Sequence, residues 1–474
     1  MAKNNKLLVK CFLNNKSKIA IETDRKKISY NDLKNKSFEL IEYFKQKGIK
    51  KGDVISVKLP NSLNLIYCYF ACIFGGFVIC PINNDLKKTE TKKIVKSVKS
   101  KLLINKISKI KFIQTKNDYF KDYNPKNIMG IFLTSGTTSG PKGVCHSSNS
   151  LIKNAMVFNN QNKISNARFY HLFPMSYMAG FLNSIISPIV CGGTIIFEDK
   201  FSIFFALNFS KIIKKKNIDY LWLNPTMINL INNFQKKRTK LNAKLKIFVG
   251  TAPLSLKDKN DFFIKFNIIP LESYGMTEIL IFSSQIKNKS EQHSNVGKLL
   301  KGCKIFNNKE KRLAVYSEYI NKYFYNFKRK KYILNNNCKK FNTGDLGFKD
   351  EKNDLIIEGR EKNIIIKGGN NINPGELEKK LFNFADISEC CVLPIKDRNY
   401  GENICLLIKT KKNKKLNFLK LEKFIQLNFE RIEFPKKILH VKSIQKNKNN
   451  KIDINYLVKN LKKNSKKKIY EKNY

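Results

Sequence analysis

Acidic side chains are scarce: 37 Asp and Glu stand against 91 Lys and Arg, a formal net charge of +54. Such an excess invites a polyanionic partner, whether nucleic acid, an anionic membrane or a phosphorylated ligand. Lys, Asn and Ile are enriched along the whole chain, as in Asn14-Asn15-Lys16 and Asn447-Lys448-Asn449-Asn450-Lys451. That uniformity fits a coding bias toward AT-rich codons, and Lys466-Lys467-Lys468 reads as a solvated tail. Charge by itself therefore assigns no specific nucleic acid. Metal-type spacing is missing from the eleven Cys: Cys68 and Cys72 sit in an apolar stretch, and Cys390-Cys391 are adjacent. Reduced, buried thiols in a cytoplasmic protein are expected. Met1-Ala2-Lys3-Asn4-Asn5-Lys6 leads into no apolar core with a small-residue cleavage site. A long uninterrupted apolar run is missing too. Leu65 to Ile82 comes nearest, but Gly75-Gly76 splits it and Pro81 ends it. A buried helix, turn and strand is expected there, and no transmembrane segment. No internal repeat is visible.

What is present is enough for more than one domain. At 474 residues the chain exceeds the ~250–300 at which a single core stops growing. Asn31 to Gln46 carries Leu33, Phe38, Leu40, Ile41 and Phe44 on roughly one helical face, with Gly48 after it. Asp53 to Leu59, Ile128 to Leu133, Tyr220 to Leu223 and Lys246 to Val249 read as strands, and Phe209 to Lys216 as a helix. This alternation predicts an α/β class: a large N-terminal domain of packed sheets flanked by helices. After Gly359-Arg360 the pattern changes. A strand and turn at Ile364 to Gly369, a helix from Pro374 and strands at Cys390 to Pro394 and Ile404 to Lys409 predict a small α+β C-terminal domain. The boundary is placed at 360/361, giving domains 1–360 and 361–474.

The strongest local signal is Leu133-Thr134-Ser135-Gly136-Thr137-Thr138-Ser139-Gly140-Pro141-Lys142-Gly143, which follows a strand. Glycines let backbone N–H groups converge on one anion, while hydroxyls and Lys142 add donors and charge. The spacing does not fit GxxxxGK[ST], so this is not a Walker A loop.

The segment resembles the phosphate-binding signature of the adenylate-forming superfamily, which holds acyl- and aryl-CoA synthetases, peptide-synthetase adenylation domains and beetle luciferases. Further motifs follow in that family's order. Tyr274-Gly275-Met276-Thr277-Glu278 is similar to YGxTE, and Thr343-Gly344-Asp345 to TGD. Gly359-Arg360-Glu361-Lys362 through Gly368-Gly369 and Pro374-Gly375-Glu376-Leu377-Glu378 resemble the hinge and the start of the C-terminal domain. Ile444 to Asp453 is similar to the segment carrying the catalytic lysine. There the family usually has Pro, and Gly before the lysine, where this chain has Gln445 and Asn450. The resemblance covers roughly residues 15–460 and is closest to acyl- or aryl-CoA ligases.

The resemblance implies an AMP-forming acid–thiol ligase: carboxylic acid and ATP give acyl-AMP and pyrophosphate, and the acyl group then passes to coenzyme A. It implies that Thr134, Ser135, Gly136, Thr137, Thr138, Gly140, Lys142, Tyr274, Gly275, Asp345 and Arg360 bind the nucleotide. It assigns Thr277 to the α-phosphate and Glu278 to Mg²⁺, a hard cation that takes oxygen ligands. Asp345 can accept from ribose hydroxyls, and Arg360 is a fixed fork donor. The resemblance makes Lys451 the expected catalytic lysine, with Lys446 and Lys448 as neighbouring candidates. The resemblance also implies that Lys362 falls at the hinge of a mobile C-terminal domain and that Gly368-Gly369 border the thiol path.

Pro174 to Phe181 contains no acidic residue that could pair with a substrate ammonium, so amino-acid activation is not expected. Tyr177, Met178, Thr251, Ala252 and Met276 form the expected acid pocket, with Met175 and Phe181 beside them. Gly297 to Asn342 matches the family poorly, and a shortened surface structure is expected there. Three alternatives stay open: an enzyme loading an acyl-carrier protein, a non-catalytic nucleotide binder, and a nucleic-acid or membrane-surface binder.

Overall fold

A computed structural model of the chain describes residues 6–134, 142–197, 201–235, 237–286, 295–306, 311–367, 370–411, 414, 416–447, 452–461 and 469–471. Among these, the strands form four sheets, of nine, seven, four and six strands.

The first helix of the predicted pattern runs Tyr30–Gln46. Ser29 starts it through a reciprocal cap: Ser29 Oγ accepts from the Asp32 N–H, and the Asp32 carboxylate accepts from the Ser29 N–H, each at 3.0 Å. The apolar run resolves as expected into the helix Leu63–Gly75 and the strand Val78–Pro81. Leu65 to Gly75 are buried on every side, so this is a core helix. No helix among the described residues is long and apolar enough to cross a membrane.

Val78–Pro81 lies inside the seven-stranded sheet, with Val54–Val57 on one side and Ile128–Thr134 on the other, both parallel to it. Ile128–Thr134 pairs antiparallel with Lys142–Ser147, a hairpin whose last described pair is Thr134–Lys142. The nine-stranded sheet is parallel through Arg168–His171, Tyr220–Leu223, Lys246–Val249 and Leu271–Met276. In such sheets ligands gather beyond the carboxyl ends of the strands. The four-stranded sheet carries the antiparallel pair Phe341–Lys349 and Leu355–Arg360.

Leu313 to Asn337 is strand-rich. Tyr323–Asn326 and Lys331–Leu334 form a hairpin that adds to the seven-stranded sheet beside Lys142–Ser147. Tyr325 is buried there, edge-on to Phe327 and Tyr332.

From Ile365 onward the chain builds a sheet with its own cores. Ile387–Asp397 pairs with Gly401–Thr410 over ten positions. Leu377, Leu381, Ile404, Leu406, Leu421 and Ile425 fill one face, and Leu393, Leu407, Leu439 and Leu457 the other. The helix Pro374–Phe382, opened by its proline and capped by Asn373, packs against Leu355–Arg360.

Candidate active site

Three of the sheets deliver polar groups to one place. Tyr274 comes from the nine-stranded sheet, Asp345 and Arg360 from the four-stranded one, and Lys142 from the hairpin of the seven-stranded one. Tyr274 Oη donates to Asp345 Oδ2 at 2.5 Å, and Arg360 Nε meets Asp345 Oδ1 at 2.6 Å. Asp345 is buried, its side chain 5% exposed, while Arg360 is 44% exposed. Each Asp345 oxygen thus has a strong protein donor, and a carboxylate oxygen can accept more than one hydrogen bond. Burial and the Asp345 charge push the Tyr274 phenol well above its ordinary range, so it stays a donor.

The turn before Asp345 explains its placement. Gly344 has φ +70°, a left-handed value that a side chain would strain. Asn342 Oδ1 accepts its N–H, and Thr343 Oγ1 accepts the Asp345 N–H while donating to Leu313 O. Gly275 is needed for a different reason. A Cβ there would stand 2.3 Å from the Leu280 carbonyl oxygen on the paired strand.

Thr277 and Glu278 follow the strand Leu271–Met276 and are half-buried. Burial raises the Glu278 carboxyl above its ordinary value, while Lys142 and Arg360 pull it down and Asp345 pushes it up. These couplings place Lys142, Asp345 and Arg360 within electrostatic reach of Glu278. A partly desolvated carboxylate among two cations and one further carboxylate fits a hard divalent ion carried by a polyphosphate.

His146 was not anticipated. It stands four residues after Lys142, fully buried, and its Nε2 lies 2.6 Å from Thr277 O, with the neutral ring donating. Burial pushes it down to about 4, which keeps it neutral. It ties the seven-stranded sheet to the Thr277-Glu278 turn. Its only trace in the sequence is that histidine is rare, four in the chain.

A buried ion pair supports the same strand from below. Lys259 Nζ is 3.2 Å from Glu272 Oε1, with the two side chains 5% and 6% exposed. Glu272 Oε2 accepts from the Leu254 N–H, and Gln285 Oε1 accepts from the Glu272 N–H. The pair thereby links the turn after Lys246–Val249 to the strand carrying Tyr274. Thr251, in that turn, has φ +72°, an outlying value for a β-branched residue of the kind that collects at functional sites.

Among the residues expected to hold the acid, Tyr177 Oη accepts from Asn83 Nδ2 at 2.9 Å. Thr251 and Ala252 are exposed, and Tyr177 and Met276 half-buried. Met178 is 8% exposed within the main core, and Met175 and Phe181 are fully buried. Phe181 stacks on Tyr69 at 3.9 Å, and Tyr69 Oη donates to Met175 O.

Several expected residues lie outside the described ones: Ser135, Gly136, Thr137, Thr138, Gly140, Gly368, Gly369 and Lys451. Lys362 is described by its backbone alone, in a single 3₁₀ turn, Glu361–Asn363. Around Lys451 the described flanks close on each other: Lys446 bridges Ile452, and the Asp453 N–H donates to Gln445 O at 3.1 Å. Lys446 Nζ is held 3.2 Å from Glu389 Oε1. A cleft of about 1160 Å³ lies between Asn229, Ser255 and Asp258 on one side and Glu389, Lys409 and His440 on the other, and none of the expected site residues lines it.

A sequence model of the family described as AMP-binding enzyme matches residues 12–314. The chain belongs to that family. The expected adenylate-forming membership is borne out, although the match ends before Asp345 and Arg360. The chain is 25% identical to 2-succinylbenzoate–CoA ligase of Bacillus pumilus (strain SAFR-032) over 430 residues, 81% of this chain and 84% of the relative. The fold resembles ATP-bound MatB from Rhodopseudomonas palustris, with a TM-score of 0.82, 20% identity, and 97% and 99% of the two chains covered. It also resembles the o-succinylbenzoate CoA synthetase of Bacillus subtilis bound to its acyl-adenylate, with a TM-score of 0.81, 20% identity, and 96% and 98% covered. The expected α/β class is therefore borne out.

Proposed function

We propose that this family member is an ATP-dependent acid–thiol ligase whose acceptor is coenzyme A. One observation carries the reading: Tyr274, Asp345 and Arg360 form a paired cluster, with Glu278 and Lys142 in electrostatic reach. Asp345 would receive the ribose hydroxyls, Arg360 and Lys142 would face the phosphates, and Thr277 would hydrogen-bond the α-phosphate. Mg²⁺ held at Glu278 would draw negative charge from the phosphates.

In the first half-reaction a carboxylate oxygen attacks the α-phosphorus and the bond to pyrophosphate breaks. Lys451 would stabilise the negative charge shared by carboxylate and phosphate. In the second, the thiol of coenzyme A loses its proton and attacks the acyl carbonyl, and AMP leaves. The named activities of the relatives, all acid–CoA ligations where a ligase is named here, support coenzyme A over a carrier protein.

Residues 1–360 and 361–474 would act as two domains turning at Lys362. The separate cores after Ile365 and the open cleft beside them support that division. The acid would sit among Tyr177, Met178, Thr251, Ala252 and Met276, at the carboxyl ends of the parallel strands. A reducing compartment, the cytoplasm, is supported by eleven free cysteines.

The test is an acid-dependent ATP–pyrophosphate exchange screen over short, long and aromatic acids, followed by acyl transfer to coenzyme A or holo-carrier protein. Exchange with one acid class, lost in Lys451→Ala, and thioester formed on coenzyme A are expected. Exchange that persists in Lys451→Ala removes that lysine from the reading. Thioester on carrier protein alone replaces the acceptor.

A further inference from the structure

The helix Ile203–Lys215 presents an unusual outer face. Ser202 caps it, and Phe205, Ala206, Phe209 and Ile213 are buried on its inner side. On the outer side Ile203, Phe204 and Leu207 are 58, 70 and 48% exposed. Single exposed apolar residues are ordinary, but three within two turns of one helix form a patch. On the helix Leu256–Phe266, Phe263 and Ile264 are also exposed, by 42 and 53%. The two helices are fixed to each other. Phe209 meets Phe262 and Phe266 at 5.7 and 5.1 Å, and Gln235 donates to Leu207 O while its carbonyl accepts from Lys265.

Basic residues flank the apolar ones. From Phe204 and Leu207 the helical line continues through Lys211 to Lys214 and Lys215, all exposed, and Lys237, Arg238 and Lys240 are exposed in the segment beyond Gln235. Acids on the second helix are already engaged: Asp261 pairs with Lys257, and Asp258 takes part in the Ser255 cap.

We propose that this face docks the enzyme on anionic lipid bilayers. Apolar side chains would enter the headgroup–acyl boundary while the lysines meet anionic headgroups, as on an interfacial amphipathic helix. The occupant follows from charge and chemistry together. A second copy of a chain with net charge +54 would bring like charges onto the same basic rim. Nucleic acid would use the lysines but leave Phe204, Ile203 and Leu207 without a role. A bilayer satisfies both. The inference is independent of which acid the enzyme activates.

The test is flotation of the full chain with vesicles of phosphatidylglycerol mixed with phosphatidylcholine, against phosphatidylcholine alone. Binding to the mixed vesicles that weakens with salt is expected. Phe204→Ser with Leu207→Ser should lower the partition coefficient by about tenfold or more. Lys211→Glu with Lys214→Glu should also lower it and flatten the salt dependence. Both variants should keep the wild-type circular dichroism, thermal midpoint and ATP–pyrophosphate exchange. Three results would overturn the proposal: undiminished vesicle binding by the Phe204/Leu207 variant, a self-association that this variant disperses in the absence of vesicle binding, or binding to duplex DNA but not to vesicles.

Discussion

At the proposed nucleotide end of the site, polar side chains from separate sheets meet one another directly. At the proposed acid end, side chains meet backbone carbonyls, an amide and the core. Asp345 is held by Tyr274 and Arg360 at 2.5 and 2.6 Å. Tyr177 Oη accepts from an amide, Asn83 Nδ2, at 2.9 Å, and Met178 lies in general packing. The difference follows from what each end has to recognise. ATP presents the same ribose and phosphates in every turnover, so fixed donors and acceptors suit it. The acid differs from one enzyme to another, and an apolar pocket is reshaped by volume changes that leave the polar frame intact.

The comparison can be broken at several points, beginning where the effect is largest. Lys259→Met leaves the Glu272 carboxylate buried without its partner and should cost about 3–5 kcal/mol of stability. Adding Glu272→Gln should recover most of it, as read by denaturant unfolding. Because the pair joins the Thr251 turn to the Tyr274 strand, a loss confined to the acid KM would show that the two ends are not coupled. Asp345→Ala should lower kcat/KM for ATP about a hundredfold, roughly 2.7 kcal/mol, and by the same factor with every acid accepted. A loss that varied with the acid would break the division.

Acidification is a further probe. Burial holds His146 and His171 down to about 4, against 6.5 for an unfolded histidine. Between those values the unfolded chain binds protons that the native chain refuses, so stability is lost as pH falls through that window. From pH 7 to 5 the loss should be about 2 kcal/mol for each histidine. His146→Gln should reduce the slope, and an unchanged slope would show that His146 titrates alike in both states. Tyr274→Phe should raise the ATP KM about tenfold and leave the acid KM unchanged. Smallest of all, Tyr177→Phe should change the acid KM by about threefold with the ATP KM constant.

Much of this was legible in the sequence, for identifiable reasons. Tyr220–Leu223 and Lys246–Val249 are strands at their predicted bounds, because a short buried strand is bounded by the polar residues on either side. The helix read from Phe209 begins six residues earlier, at Ile203. Ile203, Phe204 and Leu207 face outward and spoil the amphipathic period, and those same residues carry the proposed bilayer face. Asp345 and Arg360 were found as separate motifs, and their meeting with Tyr274 is a long-range event that no local pattern encodes. His146 acts through a carbonyl 131 positions away. The buried Lys259–Glu272 pair was equally invisible, since a Lys in a lysine-rich chain carries no signal until its burial is known.

The central claim, that the acid is activated as an acyl-adenylate, is tested most directly by isotope transfer. An acid accepted in the exchange screen, labelled with heavy oxygen in its carboxylate, is incubated with enzyme, ATP and coenzyme A. The oxygen that attacks the α-phosphorus stays with the phosphate when the thiol displaces AMP. One labelled oxygen in each AMP, formed in step with pyrophosphate and thioester, is the predicted result. Unlabelled AMP, or ADP and inorganic phosphate as products, would contradict it.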